Sequence, residues 1–291
     1  MLGAIEAGGT KFVCAVGDET GHIAERIQFP TTVPEETMPR VIEFFKRFTL
    51  DAIGIGSFGP IDVDRESPTY GSITSTPKPG WRDYPLVQAL KESFAVPIGF
   101  NTDVNGAALG EVSLGAAKGL DSCLYITVGT GIGAGAIVQG KLLQGFSHPE
   151  MGHILVRRHP KDEYQGKCPY HHDCLEGLAA GPAIEARWGK KGIQLVNHPE
   201  VWDLEGYYLA QALMHYILIL SPKKIILGGG VMHQPQVFSS IYNYLPQLIQ
   251  GYVTLPALST YIVSPGLGDD AGIVGALLLA DLAMKEESPH M

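Results

Sequence analysis

The chain opens on short apolar runs cut by small and polar turns. Leu2-Gly3-Ala4-Ile5-Glu6-Ala7 and Phe12-Val13-Cys14-Ala15-Val16 are short and bounded by turn residues. They predict strands over 2–7, 12–17 and 22–28 in an antiparallel meander turning at Gly17-Asp18 and Gly21. The period then changes: Met38, Val41, Phe44, Phe45 and Phe48 recur at helical spacing and predict a helix over 34–48. The stretch 52–56 reads as a buried strand, and 57–81 as a loop dense in Gly, Pro, Ser and Thr. Leu86, Val87, Leu90 and Phe94 mark a helix over 86–94, followed by a strand at 98–100 and a helix over 105–115.

The order then begins again. Strands fall within 123–140, a long insertion covers 141–200, a helix covers 204–220, and a strand at 224–227 runs into Gly228-Gly229-Gly230. The apolar run 271–284 is far shorter than a membrane span and contains Asp281, so a buried terminal helix is expected and no membrane segment. The pattern describes an α/β chain of two similar halves: 1–117, with a joint near 115–119, then 118–271. A last helix over about 272–287 is expected to pack back on the first half.

The repetition extends to two glycine-threonine turns, Gly8-Gly9-Thr10-Lys11 and Gly129-Thr130-Gly131-Ile132-Gly133, each between two apolar strands. Such a turn offers backbone N–H groups and a hydroxyl to an anion. Alone, either reads more readily as an ordinary hairpin than as a phosphate site; in equivalent places, with threonine in both, they point to a duplicated fold closing on a polyphosphate. Two better-known phosphate motifs fail. Gly131-Ile132-Gly133-Ala134-Gly135-Ala136 fits the dinucleotide pattern, but it leads into a strand and not a helix. Gly135 and Gly140-Lys141 mimic a P-loop, but Leu142 stands where a hydroxyl must hold magnesium.

Composition narrows the class. A net charge of −9 over 291 residues argues against nucleic acid as the main partner, though not against a nucleotide ligand. No basic leader precedes the first strand, and four cysteines without secretory context fit a reducing compartment, so a cytoplasmic enzyme is expected. Cys14 and Cys123 lie in apolar strands and read as core thiols.

The insertion carries the most specific chemistry. Cys168-Pro169-Tyr170-His171-His172-Asp173-Cys174, with His153 upstream, supplies four ligands suited to tetrahedral zinc with no open position, a structural metal. The alternatives are a chance cluster or a disulfide; His172 is an alternative to His171, and His159 reads as a solvated loop residue. Glu150 and Glu176 flank these ligands, and carboxylates fixed by a metal clasp suit vicinal sugar hydroxyls, although either alone would pass as a surface acid. Asp103, between a strand and a helix, is a candidate base and equally a candidate helix N-cap.

Taken in order, these segments resemble the ROK family, which comprises repressors and sugar kinases of the actin-like ATPase fold, and within it the zinc-containing fructokinase branch. The resemblance covers essentially the whole chain. It rests on Glu6–Lys11, Gly59-Pro60-Ile61-Asp62, Thr76-Pro77-Lys78-Pro79-Gly80-Trp81, Thr102-Asp103-Val104-Asn105 and Gly129–Gly133. It continues through His148-Pro149-Glu150-Met151-Gly152-His153, Cys174-Leu175-Glu176-Gly177 and Gly228-Gly229-Gly230-Val231. It implies a two-domain, duplicated ribonuclease H-like fold with a cleft, and a homodimer. It also implies ATP-dependent phosphorylation of a hexose, D-fructose first, with mannose or another hexose as runner-up and a non-catalytic sugar sensor as the distant alternative.

In that pattern Asp103 is the general base. ATP with Mg²⁺ would lie on Gly8, Gly9, Thr10, Lys11, Thr130, Gly131 and Gly133, with Pro182, Gly228, Gly229, Gly230, Val231 and Gln234 toward the adenosine. The sugar would meet Asn101, Thr102, Asp103, Glu150, His153 and Glu176, and zinc would sit on His153, Cys168, His171 and Cys174. Three departures stand out: a histidine among the metal ligands, Thr102 where asparagine is usual, and Glu6 where aspartate is common.

Overall fold

The structure, a computed structural model, describes residues 1–287. Strands β1 (Leu2–Ala7), β2 (Lys11–Gly17) and β3 (Ile23–Pro30) form the antiparallel meander. Helix α1 (Pro34–Phe45) leads to β4 (Ala52–Ser57), which pairs parallel with β1, and α2 (Leu86–Lys91) to β5 (Ile98–Thr102), parallel with β4. The sheet order is β3-β2-β1-β4-β5. Strands β1 and β4 are buried because both faces are covered, which is why their sequences run apolar without alternation. On one face Val41, Phe44 and Phe45 of α1 pack with Ile5, Ile53 and Ile55.

Helix α3 (Asp103–Ser113) follows, and the second half repeats the plan. Strands β6 (Cys123–Val128), β7 (Ile132–Val138) and β8 (Lys141–Leu142) are antiparallel. After the insertion come α4 (Leu175–Ala179), α5 (Gly181–Trp188) and α6 (Pro199–Leu220), then β9 (Ile225–Gly228), parallel with β6. Helices α7 (Pro235–Ile249) and α8 (Leu258–Tyr261), strand β10 (Ile262–Val263) and helix α9 (Ala271–Glu287) complete it. The order β10-β9-β6-β7-β8 is that of the first sheet, strand for strand, with β6 in the place of β1 and β9 in the place of β4. Leu209 and Leu213 of α6, with Val237, Ile241 and Leu245 of α7, cover Leu124, Ile126, Ile225 and Leu227 of this sheet.

Two helices connect the halves. Ile273, Ala276, Leu277 and Ala280 of α9 cover the remaining face of the first sheet at Leu2, Ala4, Val13, Ala15 and Ala52. Helix α3 lies against α9 and against the second sheet, where Val104, Ala107 and Ala108 meet Cys123, Tyr125 and Ile137. At the end of α3 the fully buried Glu111 accepts N–H bonds from Ala116 (2.6 Å), Gly266 (2.9 Å) and Leu267 (2.9 Å). One carboxylate thereby ties the joint between the halves to the segment that enters α9.

The sequence expectations hold in order and shift at their ends. Helix α1 stops at Phe45 and α2 at Lys91; α3 starts at Asp103 and α6 at Pro199. The insertion is not wholly irregular, since it holds β8, α4 and α5, and α7 was not anticipated. Among the described residues no helix is long and apolar enough to cross a membrane.

Candidate active site between the two sheets

The β1–β2 turn is closed by Gly8 N–H donating to Lys11 O (2.9 Å), and the Thr31 hydroxyl donates to Gly8 O (2.7 Å). In the β6–β7 turn Gly129 N–H donates to Gly131 O (2.9 Å), and Gly181 N–H at the start of α5 donates to Gly129 O (2.8 Å). The two turns meet: Thr10 Oγ1 and Thr130 Oγ1 are 3.3 Å apart. Pro182 stands in the first turn of α5, and a β-carbon on Gly181 would lie 3.9 Å from Val231 Cγ2. Gly229, after β9, adopts φ +90°, and Gln234 N–H donates to Val231 O (3.2 Å) ahead of α7. The second turn, the head of α5 and the Gly228–Val231 segment thus adjoin, and the first turn faces them.

Thr102, not Asp103, caps α3: its Oγ1 accepts Asn105 N–H (3.1 Å). Asn101 Oδ1 accepts Thr102 N–H (2.9 Å) and the Asn105 side-chain amide (2.7 Å). Both side chains are buried and engaged in starting the helix. That leaves Asp103 as the first helical residue, with Oδ1 accepting only the N–H of its neighbour Val104 (2.8 Å). Burial pushes Asp103 up to about 7, with the charge of Glu6 and then Glu150 adding to it. Glu6 is itself raised by burial, with Asp270 and Asp269 adding and Lys11 opposing. A carboxylate held near neutrality is ready both to accept a proton and to release it.

Four donors gather in the insertion. Cys168 Sγ lies 3.7 Å from His153 Nδ1 and 3.8 Å from His171 Nδ1, and Cys174 Sγ lies 3.5 Å from His153 Nδ1. All four ligand atoms fall within 4.8 Å of one another. Zinc bonds of usual length at tetrahedral angles would set sulfur and nitrogen about 3.6 Å apart, so this donor set fits such an ion. His172 stays outside the cluster: its backbone bends at φ +54° and its carbonyl accepts the Cys168 N–H (3.2 Å).

With Nδ1 of His153 turned to the sulfurs, its Nε2 faces Glu176 Oε1 at 4.0 Å. The other oxygen of Glu176 accepts Ile132 N–H (3.0 Å), in the second turn itself. A β-carbon at Gly131 would lie 2.7 Å from that oxygen and would push the carboxylate away from the turn. Glu176 therefore joins the His/Cys cluster to the second turn, a link that no local spacing announces. Glu150 is pushed up to about 7 by desolvation and by the charge of Glu176. His148, to which the sequence reading gave no role, stands 3.6 Å from Glu150 Oε1 through Nδ1 and accepts Ile61 N–H at Nε2 (3.0 Å). Burial lowers its pKa and favours the neutral ring that this acceptor role needs.

Two sheets of one order, with equivalent hairpin turns touching between them and a raised carboxylate alongside, define a two-domain actin-like ATPase fold. The chain belongs to the ROK family, which it matches over residues 2–283. A protein of Bacillus subtilis (strain 168), provisionally named a fructokinase, is 65% identical over 292 residues, covering 99% of this chain and 98% of its own. The fructokinase of Pediococcus pentosaceus is 50% identical over 285 residues, covering 98% of this chain and 99% of its own. Among solved structures, the ROK hexokinase from Thermus thermophilus superposes with a TM-score of 0.81 at 29% identity, covering 98% of this chain and 99% of its own.

Proposed function

We propose that this chain is an ATP-dependent hexose kinase with D-fructose as acceptor and fructose 6-phosphate as product. The observation that carries the reading is Asp103, held up to about 7 with its side chain unspent on the helix cap, in the interface where the two turns meet. Fructose is favoured because relatives between 42% and 65% identical over nearly the full chain bear the name fructokinase.

As the sugar hydroxyl oxygen attacks the γ-phosphorus, Asp103 takes its proton; the bond to the β,γ-bridging oxygen breaks and ADP leaves. The protein's work is positioning and charge stabilisation. Gly8, Gly9, Thr10 and Lys11 face the phosphates from one side and Thr130, Gly131 and Gly133 from the other. Pro182, Gly228, Gly229, Gly230, Val231 and Gln234 bracket the adenosine. Mg²⁺ bound with ATP would neutralise phosphate charge there. Glu150, Glu176 and His153 Nε2 present acceptors to the sugar, with Asn101 and Thr102 behind Asp103. Zinc on His153, Cys168, His171 and Cys174 would hold His153 and Glu176 in register. Residues 1–117 and 118–271 act as the two closing bodies, with the last helix on the first, in a cytoplasmic homodimer.

A coupled ADP-release assay across fructose, mannose, glucose and N-acylated hexosamines tests this. Fructose is expected to give the highest kcat/KM by at least about tenfold, a gap worth about 1.4 kcal/mol. A larger value with mannose would move the assignment to that hexose. No ADP release with any hexose would remove the kinase reading and favour a sugar sensor.

A further inference from the structure

The loop over 57–81 spans the site from the sugar carboxylates to the first turn. Near its start, a β-carbon on Gly59 would lie 3.3 Å from Glu150 Oε1; near its end, one on Gly9 would lie 3.4 Å from Lys78 Cε. The Lys78 backbone is pinned from several sides. Thr76 Oγ1 accepts its N–H (3.3 Å) and its carbonyl accepts Trp81 N–H (3.2 Å). Prolines 77 and 79 flank it, restricting the chain further. Trp81 is fully buried, stacks on Phe12 at 5.3 Å, meets Phe58 at 5.8 Å and donates Nε1–H to Thr32 O (2.6 Å). Phe12 belongs to β2, immediately after the first turn, so the tryptophan fixes the lysine segment relative to that turn.

The lysine has no counter-ion among the described residues: the one influence on its proton is burial, which lowers its pKa. A partly buried ammonium without a carboxylate is costly unless something anionic joins it. Glu6 and Asp103 would repel a polyphosphate, and Lys11 of the first turn already stands against Glu6. The phosphoryl group lying between the acceptor hydroxyl and the turns is the γ-phosphate.

We infer that Lys78 is a catalytic residue whose ammonium group binds the γ-phosphoryl oxygens beside the first turn. The inference rests on the kinase reading above. Charge placed where it develops during phosphoryl transfer is commonly worth about 10²-fold or more in rate. A residue touching only the γ-phosphate distinguishes ATP from ADP, which a merely structural role would not.

The test uses the full chain with Lys78→Met, with Lys78→Gln as a second neutral variant and Lys78→Arg to retain charge. The neutral variants are expected to lose about 10²-fold in kcat. They should bind fructose and ADP within about twofold of the parent by titration calorimetry. Affinity for the β,γ-imido analogue of ATP should fall about tenfold, and Lys78→Arg should recover part of both losses. Neutral variants with kcat within about threefold of the parent, or equal weakening of ADP and the analogue, would overturn the assignment. If the parent phosphorylates no hexose, the kinase reading fails, while the ADP-against-analogue comparison still decides whether Lys78 meets a third phosphate.

Discussion

In the proposed mechanism Asp103 concentrates the chemistry in one side chain, and its raised pKa sets a direction for pH dependence. A base works deprotonated, so kcat/KM for the sugar should fall about tenfold per unit on the acid side of about 7 and level off above it. Stability runs the other way. A carboxylate whose folded pKa is raised carries a penalty absent below its unfolded value and fully present above about 7, so this contribution weakens the fold as pH rises. Asp103→Asn should cut kcat by about 10³-fold while leaving fructose and nucleotide affinities nearly intact, read by single-turnover assay and calorimetry. A variant turning over near the parent rate would remove Asp103 as the base. At this scale the sequence singled out Asp103 but left its side chain between two uses. Asp103 was base or cap until Thr102 was seen to take the cap. The inward nitrogen of His153 likewise depends on ring rotation, which spacing does not encode.

At the scale of elements, the metal loop is the piece whose removal should be most selective. We expect about one zinc per purified chain and, in Cys168→Ser, loss of the metal with a rise in fructose KM of about tenfold. The KM for ATP should change less because the second turn, although Glu176 accepts its Ile132 N–H (3.0 Å), is also closed by Gly129 N–H donating to Gly131 O (2.9 Å). Metal analysis and steady-state kinetics read both, and a metal-free parent with full activity would overturn the clasp. The cluster of His153, Cys168, His171 and Cys174 was legible because three of its members lie within seven residues of chain, at a spacing that suits a metal loop. Strands β1 and β4 were legible because both of their sides are covered, which writes short, largely apolar runs. Helix α7 was missed although Val237, Ile241, Leu245 and Ile249 keep helical spacing and are buried; Pro235 and Pro246 at its two ends masked the period. Strand β8, two residues long, is too short for any pattern to mark.

For the whole molecule, the pairing of distant pieces was invisible beforehand. Nothing local says that β1 lies parallel to β4, that Thr10 meets Thr130, or that Glu111 reaches Gly266 and Leu267. Glu111 lets the inter-half joint be tested. Glu111→Ala strands three partly buried N–H groups and should cost about 2–4 kcal/mol in urea unfolding. A change below about 0.5 kcal/mol would show the clasp to be dispensable. The return of α9 has a consequence for biosynthesis. The strands it covers leave the ribosome early, yet Ile273 and Leu277, which roof Leu2, Ala4, Val13 and Ala15, emerge long after them. A nascent chain thus exposes one apolar face of its first sheet while the second sheet is being made. The usual order, in which N-terminal units fold first, is inverted here: the earlier half cannot close its core until a helix encoded beyond its neighbour has been translated.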